Sequence, residues 1–226
     1  MDKQLLHDIV QQDVQSWSKA ILFWDEKIDW TGVNTCLEIG AREGGLSLWL
    51  ALKGKHVICS DITISQKAVE LHAQYKVADK IEYEQIDATG IPYEDYFDVI
   101  VFKSVLGGIG RNNNYALQEQ AIKEMCKALK PGGKLLFAEN LKASAFHTLL
   151  RKSFQKWGGK WRYLSLEEIS TLMKKFSSLD IETTGVLSLF GSGELLRNTL
   201  ATADEKLFNK LAPRHWHYIA YGIAEK

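Results

Sequence analysis

Thr35-Cys36-Leu37-Glu38-Ile39-Gly40-Ala41-Arg42-Glu43-Gly44-Gly45-Leu46-Ser47-Leu48-Trp49-Leu50-Ala51 is the stretch on which the reading of the chain turns. Its first five residues form a short apolar run that reads as a buried strand. The glycines then free the backbone for a sharp turn. Apolar residues at helical spacing follow, so the loop opens onto a helix N-terminus, whose unpaired amides face any ligand set there. Glu38 stands at the carboxyl end of the strand, where an open α/β sheet binds its ligand.

The chain around this stretch has 226 residues, enough for one large α/β domain with a sizeable core. With 28 basic and 28 acidic side chains the formal net charge is zero, which argues against a broad phosphate-binding face and hence against a nucleic-acid partner. Cys36, Cys59 and Cys126 lack the spacing of a zinc site and read as buried free thiols. Reduced thiols and the lack of a signal peptide predict a cytoplasmic protein. No apolar run reaches the ~18 residues of a membrane span. No histidine or carboxylate group has metal spacing, so no metal is expected.

Elsewhere the pattern alternates helix and strand. Apolar residues at three- and four-residue steps predict a helix over 3–24, with Trp17 on it. Lys55 to Ile62 reads as a strand closing on Asp61, twenty-one residues beyond Gly40. A carboxylate at that distance on the neighbouring strand tip can accept both hydrogen bonds of a ribose diol; Ser65 is the more natural cap for the helix over 65–77. Lys80 to Ala88 alternates as a strand ending at Asp87, and Tyr96 to Phe102 is a strongly buried strand leading to Lys103, Ser104 and the Gly107-Gly108 pair. A helix over 115–129 stops at Lys130-Pro131-Gly132-Gly133, and the strand after it closes on Glu139 and Asn140. Ser165 and Glu168 form a capping box for the next helix. Strands over 179–184 and 216–224 flank a long excursion, 185–212.

The glycine loop resembles the first motif of the class I S-adenosylmethionine-dependent methyltransferases, an acid-x-Gly-x-Gly-x-Gly pattern, through Glu38, Gly40 and Gly44, with Arg42 in place of the middle glycine. The helix, Leu129-Lys130-Pro131-Gly132-Gly133 and strand succession is characteristic of the same family. The resemblance covers roughly Cys36 to Asn140. It implies a Rossmann-like doubly wound α/β fold. The sheet would be seven-stranded, mostly parallel with an antiparallel last strand, and have helices on both faces. It implies S-adenosylmethionine as cofactor, held by Glu38, the Gly40-Ala41-Arg42 and Gly44 loop, Asp61 with Ile62, Asp87 with Ala88 at the adenine, and Lys103 with Ser104 at the methionine half. In this family an N-terminal helix often covers the cofactor, which would bring Trp17 over the ligand mouth; packing onto the sheet is the competing reading.

One domain over 1–226 is expected, with 1–30 as a helical cap and 141–161 and 185–212 as substrate lids. The first lid candidate carries Phe146, His147, Phe154, Trp157 and Trp161. His147 and Glu139 are the candidate bases, with a packing role the competing reading for the histidine. A dinucleotide-binding dehydrogenase is the rival on fold. Arg42 at its third glycine position would obstruct pyrophosphate, and Glu38 would repel it, whereas an acid suits a sulfonium and an ammonium. The expected activity is methyl transfer to a small or medium-sized acceptor, by O-methylation of a metabolite, lipid-linked intermediate or saccharide. The alternatives are a protein- or RNA-directed methyltransferase and a non-catalytic cofactor- or partner-binding module.

Overall fold

A strand order of β3-β2-β1-β4-β5-β7-β6 follows from the chain's alternating pattern. The strands are β1 (Thr35–Ile39), β2 (His56–Asp61), β3 (Ile81–Gln85), β4 (Phe97–Lys103), β5 (Leu129–Asn140), β6 (Ser178–Thr184) and β7 (Ile219–Glu225). The structure is a computed structural model, and it describes residues 2–144, 147, 161–191 and 193–226. β1 pairs in parallel with both β2 and β4, and β7 runs antiparallel to both β5 and β6. The strand order reverses between β1 and β4, so a crevice opens at their carboxyl ends. This is the expected seven-stranded sheet with its antiparallel last strand.

The period-two alternation of the strands makes two cores. On one face Cys36, Val57, Cys59, Val99 and Val101 meet Trp24 and Trp49 from the helices α2 (Val14–Lys27) and α3 (Gly45–Leu52). On the other, Leu37, Ile39, Ile100 and Phe102 meet Ile122 and Met125 of a helix over Tyr115–Ala128. Buried Trp24 donates its indole N–H to the carbonyl of Gly222 at 3.0 Å, which satisfies its one polar atom. Cys36 and Cys59 are buried free thiols, and burial pushes the Cys59 thiol up to about 12.

Local departures have local causes. The single helix expected over 3–24 is two, α1 (Lys3–Val10) and α2, because Gln11 (φ 70°) and Asp13 (φ 48°) take left-handed conformations. Periodicity continues through the break, but α1 packs on α3 while α2 packs on β7. β3 ends at Gln85, so Asp87 sits in the turn beyond it. β5 begins at Leu129 and takes in the Pro-Gly-Gly segment expected as a turn, while β7 begins only at Ile219. Ser65 occupies the cap position before the helix Gln66–Gln74, but its hydroxyl makes no capping bond. The Ser165 capping box is formed on both sides. Of the first lid candidate, Phe146, Phe154 and Trp157 lie outside the described residues.

Gly45 opens α3 against the backbone of α1: a Cβ there would lie 2.1 Å from the carbonyl oxygen of Ile9. Gly45→Ala is therefore expected to push α1 off the domain and to lower unfolding stability by about 1–3 kcal/mol. A urea midpoint equal to wild type would show that α1 yields without cost.

Candidate active site

The crevice at the strand tips is a cavity of about 1110 Å³. Its walls come from the carboxyl ends of β1, β2 and β4, the turn after β3, the α1–α2 joint and the 185–212 excursion. Eleven of the twelve residues expected at the cofactor line it: Trp17, Glu38, Gly40, Ala41, Arg42, Asp61, Ile62, Asp87, Ala88, Lys103 and Ser104. Gly44 is the exception. It caps α3 at φ 75°, and a Cβ there would meet the His72 ring at 2.6 Å, so it shapes the loop from behind.

The glycine loop works as a set of left-handed turns. Gly40 has φ 68°, and a Cβ on it would strike Val105 at 2.6 Å. Arg42 takes φ 54° without being glycine, at a cost of about 1–2 kcal/mol. Asp61 offsets that cost: its Oδ2 accepts from the Arg42 N–H at 2.8 Å, while Oδ1 accepts from the Ile62 N–H at 2.7 Å. Arg42 thus holds, at the motif's middle-glycine position, a left-handed conformation that glycine adopts without strain.

Glu38 is buried, and its Oε2 accepts from the Ser47 N–H at 2.7 Å and the Ser47 hydroxyl at 2.5 Å, tying the strand tip to the first turn of α3. Burial pushes its carboxyl up to about 7, against those bonds. Asp87 accepts from Thr89 N–H and hydroxyl at 2.8 and 2.7 Å, and these bonds hold its carboxyl below the usual range. Ser104 sits at φ 58° and accepts from the Asn140 side-chain amide at 2.7 Å. The Lys103 ammonium lies 5.1 Å from the centre of the Trp17 ring, and burial pushes it down to about 8.

The two candidate bases do not reach this cavity. His147 is buried, with Nε2 2.7 Å from the carbonyl of Val186 and Nδ1 2.6 Å from the Ser144 hydroxyl, so both ring nitrogens are engaged. Glu139 is fully buried and accepts from the N–H groups of Val105, Leu106 and Asn140 at 2.9, 2.7 and 2.9 Å. Neither side chain lines the cavity, and both are buried with their polar atoms bonded inside the fold. Sequence patterning missed Asp13 and Tyr218, whose hydroxyl donates to Asp13 Oδ2 across 205 positions of chain. It also missed Arg197, which comes from the excursion. The one signal for Arg197 is that 185–212 is longer than a hairpin needs. Among the described residues no group of three histidine, cysteine or carboxylate side chains could hold a metal ion.

A family profile described as a methyltransferase domain matches residues 37–137, which run from β1 into β5. Residues 37–137 thus carry a methyltransferase domain, and with the fold they support a class I S-adenosylmethionine-dependent methyltransferase. The chain is 31% identical over 129 residues to the ubiquinone/menaquinone biosynthesis C-methyltransferase of Pectobacterium carotovorum, covering 50% of this chain and 49% of the relative. It is 32% identical over 157 residues to the enzyme of that name from Azotobacter vinelandii, covering 66% and 59% respectively. The methyltransferase thus spans about half the length of the curated relatives it matches. In fold it is similar to phosphoethanolamine N-methyltransferase 2 of Haemonchus contortus in complex with S-adenosyl-L-methionine, with a TM-score of 0.66 at 18% identity over 98% of this chain and 56% of that one.

Proposed function

We propose that this methyltransferase moves the methyl group of S-adenosylmethionine to a hydroxyl of a small or medium-sized acceptor, a metabolite, lipid-linked intermediate or saccharide. The observation that carries the reading is the size and division of the cavity. At about 1110 Å³ it exceeds the usual span of a single-ligand site, so a cofactor leaves room for a second molecule. Asp61 would accept hydrogen bonds from the ribose diol, Asp87 with Ala88 would flank the adenine, and Glu38 with the loop would face the methionine end. The rest of the lining includes Trp17, Trp161 and Tyr163, whose rings are flat surfaces suited to a ring or a sugar face. A concave site and zero net charge favour such an acceptor over a nucleic acid. Reaction there is an in-line displacement that depends chiefly on holding nucleophile, methyl and sulfur in a row.

A second reading, transfer to carbon, is favoured by the two relatives named as C-methyltransferases. A cytoplasmic location is part of the proposal; among the described residues no helix is long and apolar enough to cross a membrane.

Thermal unfolding with S-adenosylmethionine, S-adenosylhomocysteine and NAD, side by side, tests the cofactor half. A ligand at ~100 times its dissociation constant stabilises by about 2.7 kcal/mol, or roughly 5–10 °C here. The first two are expected to do so and NAD is not. Incubation with metabolite fractions then tests the acceptor half, by mass spectrometry for a product one methyl group heavier and by NMR for the methyl's position. Stabilisation by NAD alone would overturn the reading.

A further inference from the structure

Lys103 ends β4 in the cavity wall, and among the described residues no acceptor holds its proton. A half-buried lysine near carboxylates ordinarily pairs with one of them. Among the described residues, however, no hydrogen bond or ion pair reaches Nζ, which rests against the Trp17 ring. The charged groups around it act from longer range and belong to four other places: Glu38 on β1, Arg42 in the glycine loop, Asp13 at the α1–α2 joint and Glu139 on β5. The three acids are engaged elsewhere. Glu38 accepts from Ser47, Glu139 from backbone amides, and Asp13 from Tyr218 through Oδ2, its buried Oδ1 having no partner.

We propose that Lys103, as the neutral amine, is the base that takes the proton of the acceptor hydroxyl during methyl transfer. The inference rests on the hydroxyl reading above. The acceptor oxygen attacks the methyl carbon, and the carbon–sulfur bond breaks with its electron pair staying on sulfur. The O–H pair stays on oxygen, and the proton joins the lone pair of Nζ. One positive charge stands on sulfur before the step and one on nitrogen after it, so the cavity's net charge is unchanged. The sulfonium disfavours a neighbouring ammonium and its disappearance restores it, which drives the proton toward Lys103 as the bond to sulfur breaks. Burial has already brought this lysine down to about 8 in the free protein, near the range where a base is most effective. Water takes the proton back as the products leave.

A lysine that merely anchored the methionine carboxylate would be stabilised as a cation by cofactor and product alike. The two roles therefore separate without an acceptor. In protein labelled with 13C at lysine Cε, the resonance absent from Lys103→Arg is that of Lys103. Its titration is to be followed in the free protein, with saturating S-adenosylmethionine and with saturating S-adenosylhomocysteine, saturation being checked by calorimetry. The expected result is a midpoint lower by about one pH unit or more in the cofactor complex than in the product complex. Equal midpoints, or midpoints raised in both, overturn the proposal while leaving the methyltransferase reading intact. Failure of S-adenosylmethionine to bind removes both. On the acceptor found as above, Lys103→Met is expected to lose 10²–10⁴-fold in kcat with cofactor affinity kept. An unchanged kcat overturns the base, and a product methylated on carbon or nitrogen instead removes the hydroxyl reading under it.

Discussion

Asp61→Ala is expected to weaken S-adenosylhomocysteine binding about 100-fold or more, equal to about 2.8 kcal/mol. Two effects add. The first is loss of the proposed ribose contact, in which a carboxylate accepts hydrogen bonds worth about 1.5–3 kcal/mol each. The second is loss of the bond from the Arg42 N–H, which holds the glycine loop in its left-handed turn. Without it, Arg42 at φ 54° is free to relax toward ordinary backbone and close the approach to the cofactor. The free protein should lose only about 1–2 kcal/mol, since both Asp61 bonds lie near the surface. Asp61→Asn separates the two effects. One amide oxygen can still accept from Arg42, so loop and stability are kept, while the ribose loses part of its acceptor and affinity falls about tenfold. Calorimetry with the product and a urea melt of each variant decide the matter. Product affinity in Asp61→Ala equal to wild type would mean that the ribose is held elsewhere.

The strand-tip wall of the cavity was legible because it is local. Glu38, Gly40, Arg42 and Asp61 are each placed by a strand end and the turn that follows it, and the spacing of such ends is written in the pattern of apolar runs. The opposite wall was not, because tertiary contacts place it. The break at Gln11–Asp13 contains no glycine or proline; Asp13 is held in its left-handed turn beside a hydroxyl on Tyr218, at the far end of the chain. His147 is a chemically sensible base in the right part of the sequence, and the approach of the Val186 carbonyl occupies its second nitrogen. Lys103 was read as a wall of the methionine pocket. That no described residue bonds its amine depends on where three acids spend their own bonds, which no spacing rule reports. Gly44 shows the converse: the motif marks it, yet it stands behind the loop, where it leaves room for His72.

Glu139 illustrates how a strand-tip acid can serve the site without entering it, and its removal should have the largest effect on folding. Glu139→Ala leaves the N–H groups of Val105, Leu106 and Asn140 without their acceptor. At about 1–3 kcal/mol for each unmet buried donor, and with some relaxation, a loss of about 3–5 kcal/mol is expected. That is a large part of the 5–15 kcal/mol typical of a domain. Where the alanine variant does not fold, Glu139→Gln carries the test, since one of its two side-chain heteroatoms still accepts. Because burial pushes the Glu139 carboxyl up to about 7 from an ordinary 4.5, the folded chain binds this proton more tightly than the unfolded chain does. Stability therefore falls as pH rises between those two values and is level outside them. Glu38, also raised to about 7, adds to the fall, whereas Lys103, lowered to about 8, makes stability rise again above that pH. The glutamine variant lacks the Glu139 share, so its deficit against wild type should be larger at pH 5 than at pH 7.5. Its affinity for S-adenosylmethionine should stay within a few-fold of wild type, because Glu139 does not line the cavity. Parallel pH profiles for the two proteins would show that three backbone amides outweigh burial and keep this acid ionised in the core.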